Sequence, residues 1–403
     1  MVAPKLRFKE FNNDWSLKKL GDLSFKPQYG MNSSATEFDG ENKYLRITDI
    51  NEDDHSFNFS KLTSPADDLD DKYLLKNGDL LFARTGASVG KSYLYNSKDG
   101  KVYFAGFLIK FSLQTEVNPY FIFSQTLSKK FQNWVITNSM RSGQPGINAE
   151  EYSLLPISFT SLKEQTKIAT FLSAVDEKIS QLSQKLHLLV QYKQGMMQKL
   201  FSQQLRFKAD DGSEFGEWSN KTIGDVANIK RGASPRPIND SKWFDDSSSI
   251  GWVRISDVSK SKKYLLQTEQ YLSTLGIQKS RLVPKGNLIM SICATIGKPI
   301  YTGFDVCIHD GFVVFSELQA IHEYAYYYLE YIEKNWYQYG QAGTQVNLNS
   351  DIVSNEAFPF PCLEEQTKIA NFLSAIDQKI DVVSEQLEQA KLWKKGLLQQ
   401  MFV

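Results

Sequence analysis

Apolar residues recur at alternating steps of four and three along two stretches of the chain. In the first they fall at Ile168, Leu172, Val175, Ile179, Leu182, Leu186, Leu189, Met196 and Leu200, with Lys193 the polar intruder. In the second they fall at Ile369, Leu373, Ile376, Ile380, Val383, Leu387, Ala390, Leu397 and Met401, interrupted at Lys394. This is the heptad seam of a coiled coil. Neither stretch holds a proline, so each predicts one helix, about 60 Å long for about forty residues. Elsewhere the pattern shortens to β-like runs separated by turn residues. Tyr44 to Ile47, Asp79 to Ala83 and Lys101 to Phe104 are examples, as are Trp252 to Ile255, Asn287 to Ser291 and Gly311 to Phe315. One shorter helix is expected in each such region, over Tyr120 to Thr137 and Ile321 to Tyr339.

The two helical stretches are copies. Glu164-Gln165-Thr166-Lys167-Ile168-Ala169 returns as Glu365-Gln366-Thr367-Lys368-Ile369-Ala370, and the same offset of 201 residues holds without a gap to Phe201 and Phe402. The β-rich regions repeat only in landmarks. Leu6-Arg7-Phe8 returns as Leu205-Arg206-Phe207, Arg46-Ile47-Thr48-Asp49 as Arg254-Ile255-Ser256-Asp257, and Gly90-Lys91 as Gly297-Lys298. The chain therefore reads as head, helix, head, helix: first head 1–155, helix 156–203, second head 204–356, helix 357–403. The expected class is α+β, with two mixed α/β heads separated by two long antiparallel coiled-coil helices related by an internal repeat. A nearly constant scaffold carries two heads that differ.

A long two-faced helix needs a partner for its stripe, and the simplest partner is the other copy. The helices could instead serve only to stabilise a dimer. Their polar faces, rich in Gln, Lys and Glu, are free to dock other proteins. Gly195 and Gly396 lie inside the helical pattern, where a bend or close packing is the plain expectation.

Composition narrows the function. Hydrophobic residues make up 41% and charged residues 23%, ordinary for a globular protein, and the formal net charge is zero. A protein that coats DNA by itself is usually basic, so neutrality counts against that class, though not against one that reads bases while partners supply the cationic channel. Three cysteines without CxxC spacing argue against a disulfide framework or zinc knuckle and suit a reducing cytoplasm. No run approaches the ~20 apolar residues of a membrane span, and Met1 to Glu10 lacks a signal-peptide core. A soluble cytoplasmic protein is expected.

Two kinds of loop look like contact sites. Asn138 to Gly146, with Arg141 and Gln144, matches Gln341 to Asn347, with Gln341 and Gln345. Gln and Asn pair with adenine and Arg with guanine in the major groove, while Gly and Asn also dominate plain turns. The basic loop Lys230-Arg231-Gly232-Ala233-Ser234-Pro235-Arg236 is the second, with a merely solvated loop as the alternative. Lys43, Arg46, Arg84 and Lys91 in the first head, and Lys242, Arg254 and Lys298 in the second, complete the candidate DNA-contacting set on side-chain chemistry. Ile168, Leu172, Val175, Ile179, Leu182, Leu186 and their copies Ile369, Leu373, Ile376, Ile380, Val383 and Leu387 form the candidate coiled-coil and docking set. The aromatic cluster from Tyr324 to Tyr339 reads mainly as helix packing, with base stacking open to one or two of its members.

Catalytic signatures are missing. Gly86 to Ser92 resembles a phosphate loop but has three residues between its glycines where four are needed, and Pro299 replaces the hydroxyl residue in the copy. There is no GxGxxG, no methyltransferase Pro-Pro-aromatic motif and no HxxxH pair. The acidic stretch from Asp49 to Asp71 reads as solvated loop. No catalytic or metal site is expected.

Two unlike heads alternating with near-identical helices that open on Leu162-Lys163-Glu164-Gln165 and Leu363-Glu364-Glu365-Gln366 resemble the specificity subunit of type I restriction-modification enzymes. The resemblance covers essentially the whole chain. It implies two target-recognition domains, each reading one half of a bipartite, asymmetric site in double-stranded DNA, with the helices as a ruler. It further implies two methyltransferase subunits docked on the helices and two restriction subunits reached through them. S-adenosylmethionine, ATP and Mg would bind those partners, leaving this chain non-catalytic. Two rivals remain: an adaptor whose heads bind peptides, and an enzyme whose site lacks a familiar motif.

Overall fold

The computed structural model describes residues 4–339 and 348–402. The chain divides into two units, Met1–Gln184 with Ser384–Val403, and Lys185–Val383. Each unit takes one head, the first half of the long helix that follows it, and the second half of the other long helix. Compactness thus cuts across the four segments expected from the chain order.

In the first unit an antiparallel sheet runs in the order Gln28–Tyr29, Leu108–Ser112, Asp79–Ala83, Ser92–Leu94. Strand side chains alternate between faces, and both faces here are covered. Leu80 and Phe82 join Ile109, Phe111, Phe121 and Ile122 on the helical side. Leu81 and Ala83 join Leu45, Val102 and Phe104 on the other. That is why Asp79–Ala83 is buried throughout rather than alternately. The second unit repeats this with a five-stranded sheet, Asn228–Arg231, Phe312–Ser316, Leu288–Ser291, Pro299–Thr302, Tyr264–Leu265. Leu288 and Met290 face the helices, while Ile289 meets Val253, Val306 and Ile308.

Two expected elements are shorter than the patterns suggested. The strands expected over Tyr44 to Ile47 and Trp252 to Ile255 end at Leu45 and Val253, because the Asp49 and Asp257 carboxylates accept from the backbone N–H of Arg46 and Arg254 and start a helical turn. The helix expected over Tyr120 to Thr137 is two, Pro119–Thr126 and Lys129–Asn138, since the Ser128 hydroxyl caps a new start at Phe131 N. The second head's helix runs His322–Tyr331 and tightens to a 3-10 turn over Glu333–Tyr339.

The long helices span Leu162–Phe201 and Leu363–Met401. Their seams are buried, but the first turns do not simply face another helix. Ile168, Leu172 and Val175 sit in the first head's own core, joined there by Leu397, Leu398 and Met401 from the end of the second helix. Ile369, Leu373 and Ile376 do the same in the second head, with Met197, Leu200 and Phe201. Leu182, Val383 and Leu387 are buried further along, and Ile179, Leu186 and Ile380 are half-buried. Start against end is the antiparallel sense of pairing. The intruding lysines have a purpose in it: Lys193 pairs with Asp377 at 2.8 Å, and Lys394 with Asp176 at 2.6 Å. Close packing does not explain Gly195 and Gly396, where an added Cβ meets nothing within 4 Å.

The Glu-Gln dipeptide that opens each helix joins it to its head. Glu164 takes two hydrogen bonds from the Arg7 guanidinium, at 2.7 and 2.9 Å. Glu365 takes the same from Arg206, at 3.0 and 2.7 Å, and a third from Trp218 Nε1 at 2.9 Å. Gln165 Oε1 accepts from Asn118 N and its amide donates to Thr160 O; Gln366 accepts from Ile321 N and donates to Pro361 O. Burial raises the Glu164 carboxyl, but the donors from Arg7 and Thr160 outweigh it and the net shift is downward. Removing one partner of a buried pair strands the other charge. Glu164→Ala is therefore expected to cost about 3–5 kcal/mol in chemical denaturation at neutral pH. Because Glu164 ionises more readily folded than unfolded, its contribution is present above the ordinary glutamate range and is lost as pH falls through the lower folded value. The gap between wild type and Glu164→Gln should close in acid; a constant gap from neutral pH downward would remove Glu164 as its source.

Candidate nucleic-acid interface

Both heads bring the same loops together by the same backbone bonds. In the first, Gly30 N donates to Leu108 O, Met31 N to Phe104 O, Arg84 N to Phe107 O, and Ile147 N to Arg84 O. In the second, Gly232 N donates to Phe312 O, Ala233 N to Ile308 O, Ile292 N to Gly311 O, and Leu348 N to Ile292 O. Gly30 and Gly232 are required by contact: a Cβ would lie 2.2 Å from Ala105 O in one head and 2.0 Å from His309 O in the other. These bonds set position against position: Tyr29 with Arg231, Arg84 with Ile292, Ala105 with His309, Gly106 with Asp310, Phe107 with Gly311.

On this shared frame the first head presents an aromatic-cationic surface. The Arg84 guanidinium lies 5.1 Å from the Tyr29 ring centre and 5.8 Å from that of Phe107, and both rings are largely exposed. Such stacking holds a guanidinium flat. Arg84 Nε is buried with no acceptor among the described residues. Gln144 is exposed beside Gly86, whose positive φ and missing Cβ leave room for the amide.

The second head presents a polar cleft of about 520 Å³ instead. Arg236, Arg254, His309 and Asp310 line it. Asp310 Oδ1 accepts from the Ser234 hydroxyl at 2.8 Å, and Oδ2 lies 3.5 Å from Arg236 Nη2. Asp310 O accepts from Arg231 Nε at 2.7 Å, and Arg231 O accepts from Arg281 Nε. The bond from Ser234 lowers the Asp310 carboxyl against the opposing effect of burial, so it is a carboxylate. Burial lowers His309. Its Nδ1 accepts from Gly311 N at 2.8 Å, which leaves the proton of the neutral ring on Nε2. That N–H has no acceptor among the described residues.

The other candidates fall into distinct places. Arg231 and Arg236 lie in or beside the cleft, and Lys230 is half-buried on the edge strand Asn228–Arg231. Arg254 lines the cleft while sharing Glu269 with Lys260. Lys242 is exposed, paired with Asp240 and lying over the Trp243 ring. Gln341 and Gln345 lie outside the described residues.

Four further candidates have internal partners. Lys91 is buried, donating to Ile50 O and Glu52. Lys298 donates to the carbonyls of Val258, Ser259 and Ser261. Both brace the turn after the Arg-Ile-Thr/Ser-Asp landmark: three carbonyls take up the three protons of Lys298, and two acceptors hold the buried Lys91. Arg46 is held by Asp49 through two bonds of 2.8 Å. Arg141 is held by Glu151 and by the carbonyls of Asn138 and Met140. Lys43 is partly drawn inward, donating to Asp99 O. The Gly86 to Ser92 stretch is no phosphate cradle, since Gly90 N is taken by Ala83 O and the Tyr152 hydroxyl. His309, Asp310, Tyr29 and Phe107 escaped the sequence reading. The signal was there in the repeat: Tyr29-Gly30 aligns with Arg231-Gly232, and change beside an invariant glycine marks a loop tip free to vary.

A family model described as the type I restriction modification DNA specificity domain matches the chain twice, over residues 12–190 and 216–392. The MjaX specificity subunit of a type I restriction enzyme from Methanocaldococcus jannaschii is 25% identical, over 98% of this chain and 94% of its own length. The MjaVIII specificity subunit of the same organism is 24% identical, over 96% and 91%. Among solved structures, the type I restriction-modification S subunit from M. genitalium has the same fold, with a TM-score of 0.62 at 16% identity over 100% of this chain and 99% of that one. A chain from a structure of a type I R-M system in assembly gives 0.60 at 17% identity, over 96% of each. The same domain matched twice, on two heads built by one set of backbone bonds, places this chain in the family of type I restriction-modification DNA specificity subunits.

Proposed function

We propose that this chain is the non-catalytic sequence reader of a type I restriction-modification complex, each head reading one half of a bipartite asymmetric DNA site. One observation carries this: equivalent loop positions bear opposite chemistry. Tyr29, Arg84 and Phe107 in one head correspond to Arg231, Ile292 and Gly311 in the other, with His309 and Asp310 added. A peptide adaptor or an enzyme has no evident need for two unlike tips on one frame, while an asymmetric site does. Phosphate contacts position a protein on DNA and base contacts specify; Arg84 makes no ion pair among the described residues, and Arg236 makes one long contact, 3.5 Å to Asp310, with a largely exposed side chain.

The long helices are the ruler and dock two methyltransferase subunits, through which two restriction subunits are reached. S-adenosylmethionine, ATP and Mg bind those partners. Two equivalent notches support the docking. Tyr192 and Trp393 are about half exposed, and each lies three residues before a glycine with open space above it, Gly195 and Gly396. An aromatic beside a flat spot is a common anchor for a partner, and a notch per copy fits two partners.

In the assembled methyltransferase, Arg84→Ala should relax one base position in one half-site and Arg236→Ala one position in the other, each by about 1–3 kcal/mol. Sequencing methylated adenines reads this out. Both variants altering the same half, or neither altering any, would overturn the assignment of one half-site to each head. A second expectation concerns the notches: Tyr192→Ala with Trp393→Ala should weaken capture of the methyltransferase subunit at least tenfold while leaving thermal unfolding unchanged. Undiminished capture would move the docking surface elsewhere on the helices.

A further inference from the structure

The cleft in the second head contains one carboxylate, Asp310, with two arginines, Arg236 and Arg254, on a surface proposed to meet a polyanion. That is a costly choice, because a carboxylate is repelled by every DNA sequence unless it gains a bond that only some sequences offer. Asp310 is built for this. Ser234 fixes Oδ1 from one side, and the one cation that meets Oδ2 among the described residues, Arg236, stands at 3.5 Å and is itself 79% exposed. Oδ2 thus keeps acceptor capacity facing the cleft. Next to it, the backbone of Gly311 holds the His309 ring so that Nε2–H is its donor. Trp252 and Phe312 pack on that ring at centroid distances of 5.9 and 4.9 Å and fix its plane.

We propose that Asp310 and His309 are specificity-determining residues that read one base pair, Asp310 Oδ2 accepting a hydrogen bond from an exocyclic amino group on the major-groove edge, flanked by the donors His309 Nε2–H and Arg236. This rests on the reading of the chain as a DNA reader. In the major groove the exocyclic amino donors are cytosine N4 and adenine N6, and they sit beside acceptors on the same pair. An acceptor between two donors complements the adenine-thymine edge in full, and an acceptor beside one donor complements cytosine N4 with guanine O6. A pair that places thymine O4 or guanine O6 at this spot sets oxygen against carboxylate, so the site works chiefly by rejecting wrong pairs, through an unmet buried charge. The first head has Ala105 and Gly106 at the equivalent positions and so lacks the device. Its half-site is an internal control.

The test uses the complex assembled with its methyltransferase subunits, read by methylated-adenine sequencing and by binding to duplexes varied one pair at a time. Asp310→Ala should flatten preference at a single position of the second head's half-site by roughly ten- to a hundredfold. It should also raise affinity for unrelated duplex several-fold, because a negative charge has left the surface. A residue that merely supported the loop would lower both. His309→Ala, which keeps the carboxylate, should weaken preference at the same or the neighbouring pair. The sensitive pair then names the amino group. Wild-type protein should lose affinity when that group is deleted, with purine in place of adenine or 2-pyrimidinone in place of cytosine, and Asp310→Ala should not respond to the deletion. Unchanged preference at every position in both variants, or equal losses on cognate and unrelated DNA, would overturn the proposal. Failure of the broader reading looks different: the wild-type complex would itself show no sequence preference in either half.

Discussion

The joint between head and helix depends on a buried carboxylate. Glu164 and Glu365 are shut away from water at the first turn of each long helix, and an arginine near the start of each head repeat reaches in to neutralise them. The neighbouring glutamine closes the same joint with both ends of its amide. Such an arrangement is a poor source of net stability, because desolvating the charges consumes most of what their attraction returns. What it provides is geometry. The bidentate fork and the paired amide bonds leave the head one orientation on its helix. A reading head set on a rod is useful only if it does not swivel, which explains why Glu-Gln repeats unaltered while the loops beyond it change.

The lysines that interrupt the seams belong to the same logic. A heptad stripe of Ile, Leu and Val alone tolerates slippage by a turn or more, and one polar residue per stripe is the usual remedy. Lys193 and Lys394 each find an aspartate, Asp377 and Asp176, two residues bearing the same relation in the repeat. Each aspartate also accepts from a tyrosine of its head, Tyr327 and Tyr120. Helix, opposing helix and head meet at one carboxylate in each unit. A slip along the seam would leave both a buried ammonium and a buried carboxylate unmatched, so the register is held by the penalty for error.

Much of this architecture was legible because it is periodic. The four-three spacing, the offset of 201 residues and the Arg-Ile-Thr/Ser-Asp landmark all follow from local rules that a sequence displays directly. Asp79–Ala83 was readable as a strand for the same reason. The interface was not, because exposure and commitment are tertiary facts. Lys91 and Lys298 sit in a conserved-looking Gly-Lys repeat and resemble phosphate ligands, yet both are spent on carbonyls some forty residues away. Arg46 and Arg141 are lost to carboxylates three and ten residues along. His309 and Asp310 lie between two hydrophobic strands, where composition gives no hint that a strand-end turn opens onto a cleft.

Neutrality of the whole chain then takes on a meaning that net charge alone could not supply. A protein that carries as many acids as bases cannot rely on phosphate attraction, which is the part of DNA affinity indifferent to sequence. Several cations are paired internally, and acids such as Asp49, Glu164 and Glu365 that pair them hold turns and joints. At the loop tips, Arg84 lies between two rings in one head, and Arg236, His309 and Asp310 line a cleft in the other. Low non-specific attraction lowers affinity for every sequence alike, and a wrong base is rejected by the factor set by the bond it forfeits. On the proposed reading, discrimination comes from the directional bonds that two dissimilar tips, each fixed to its own helix, offer to different bases.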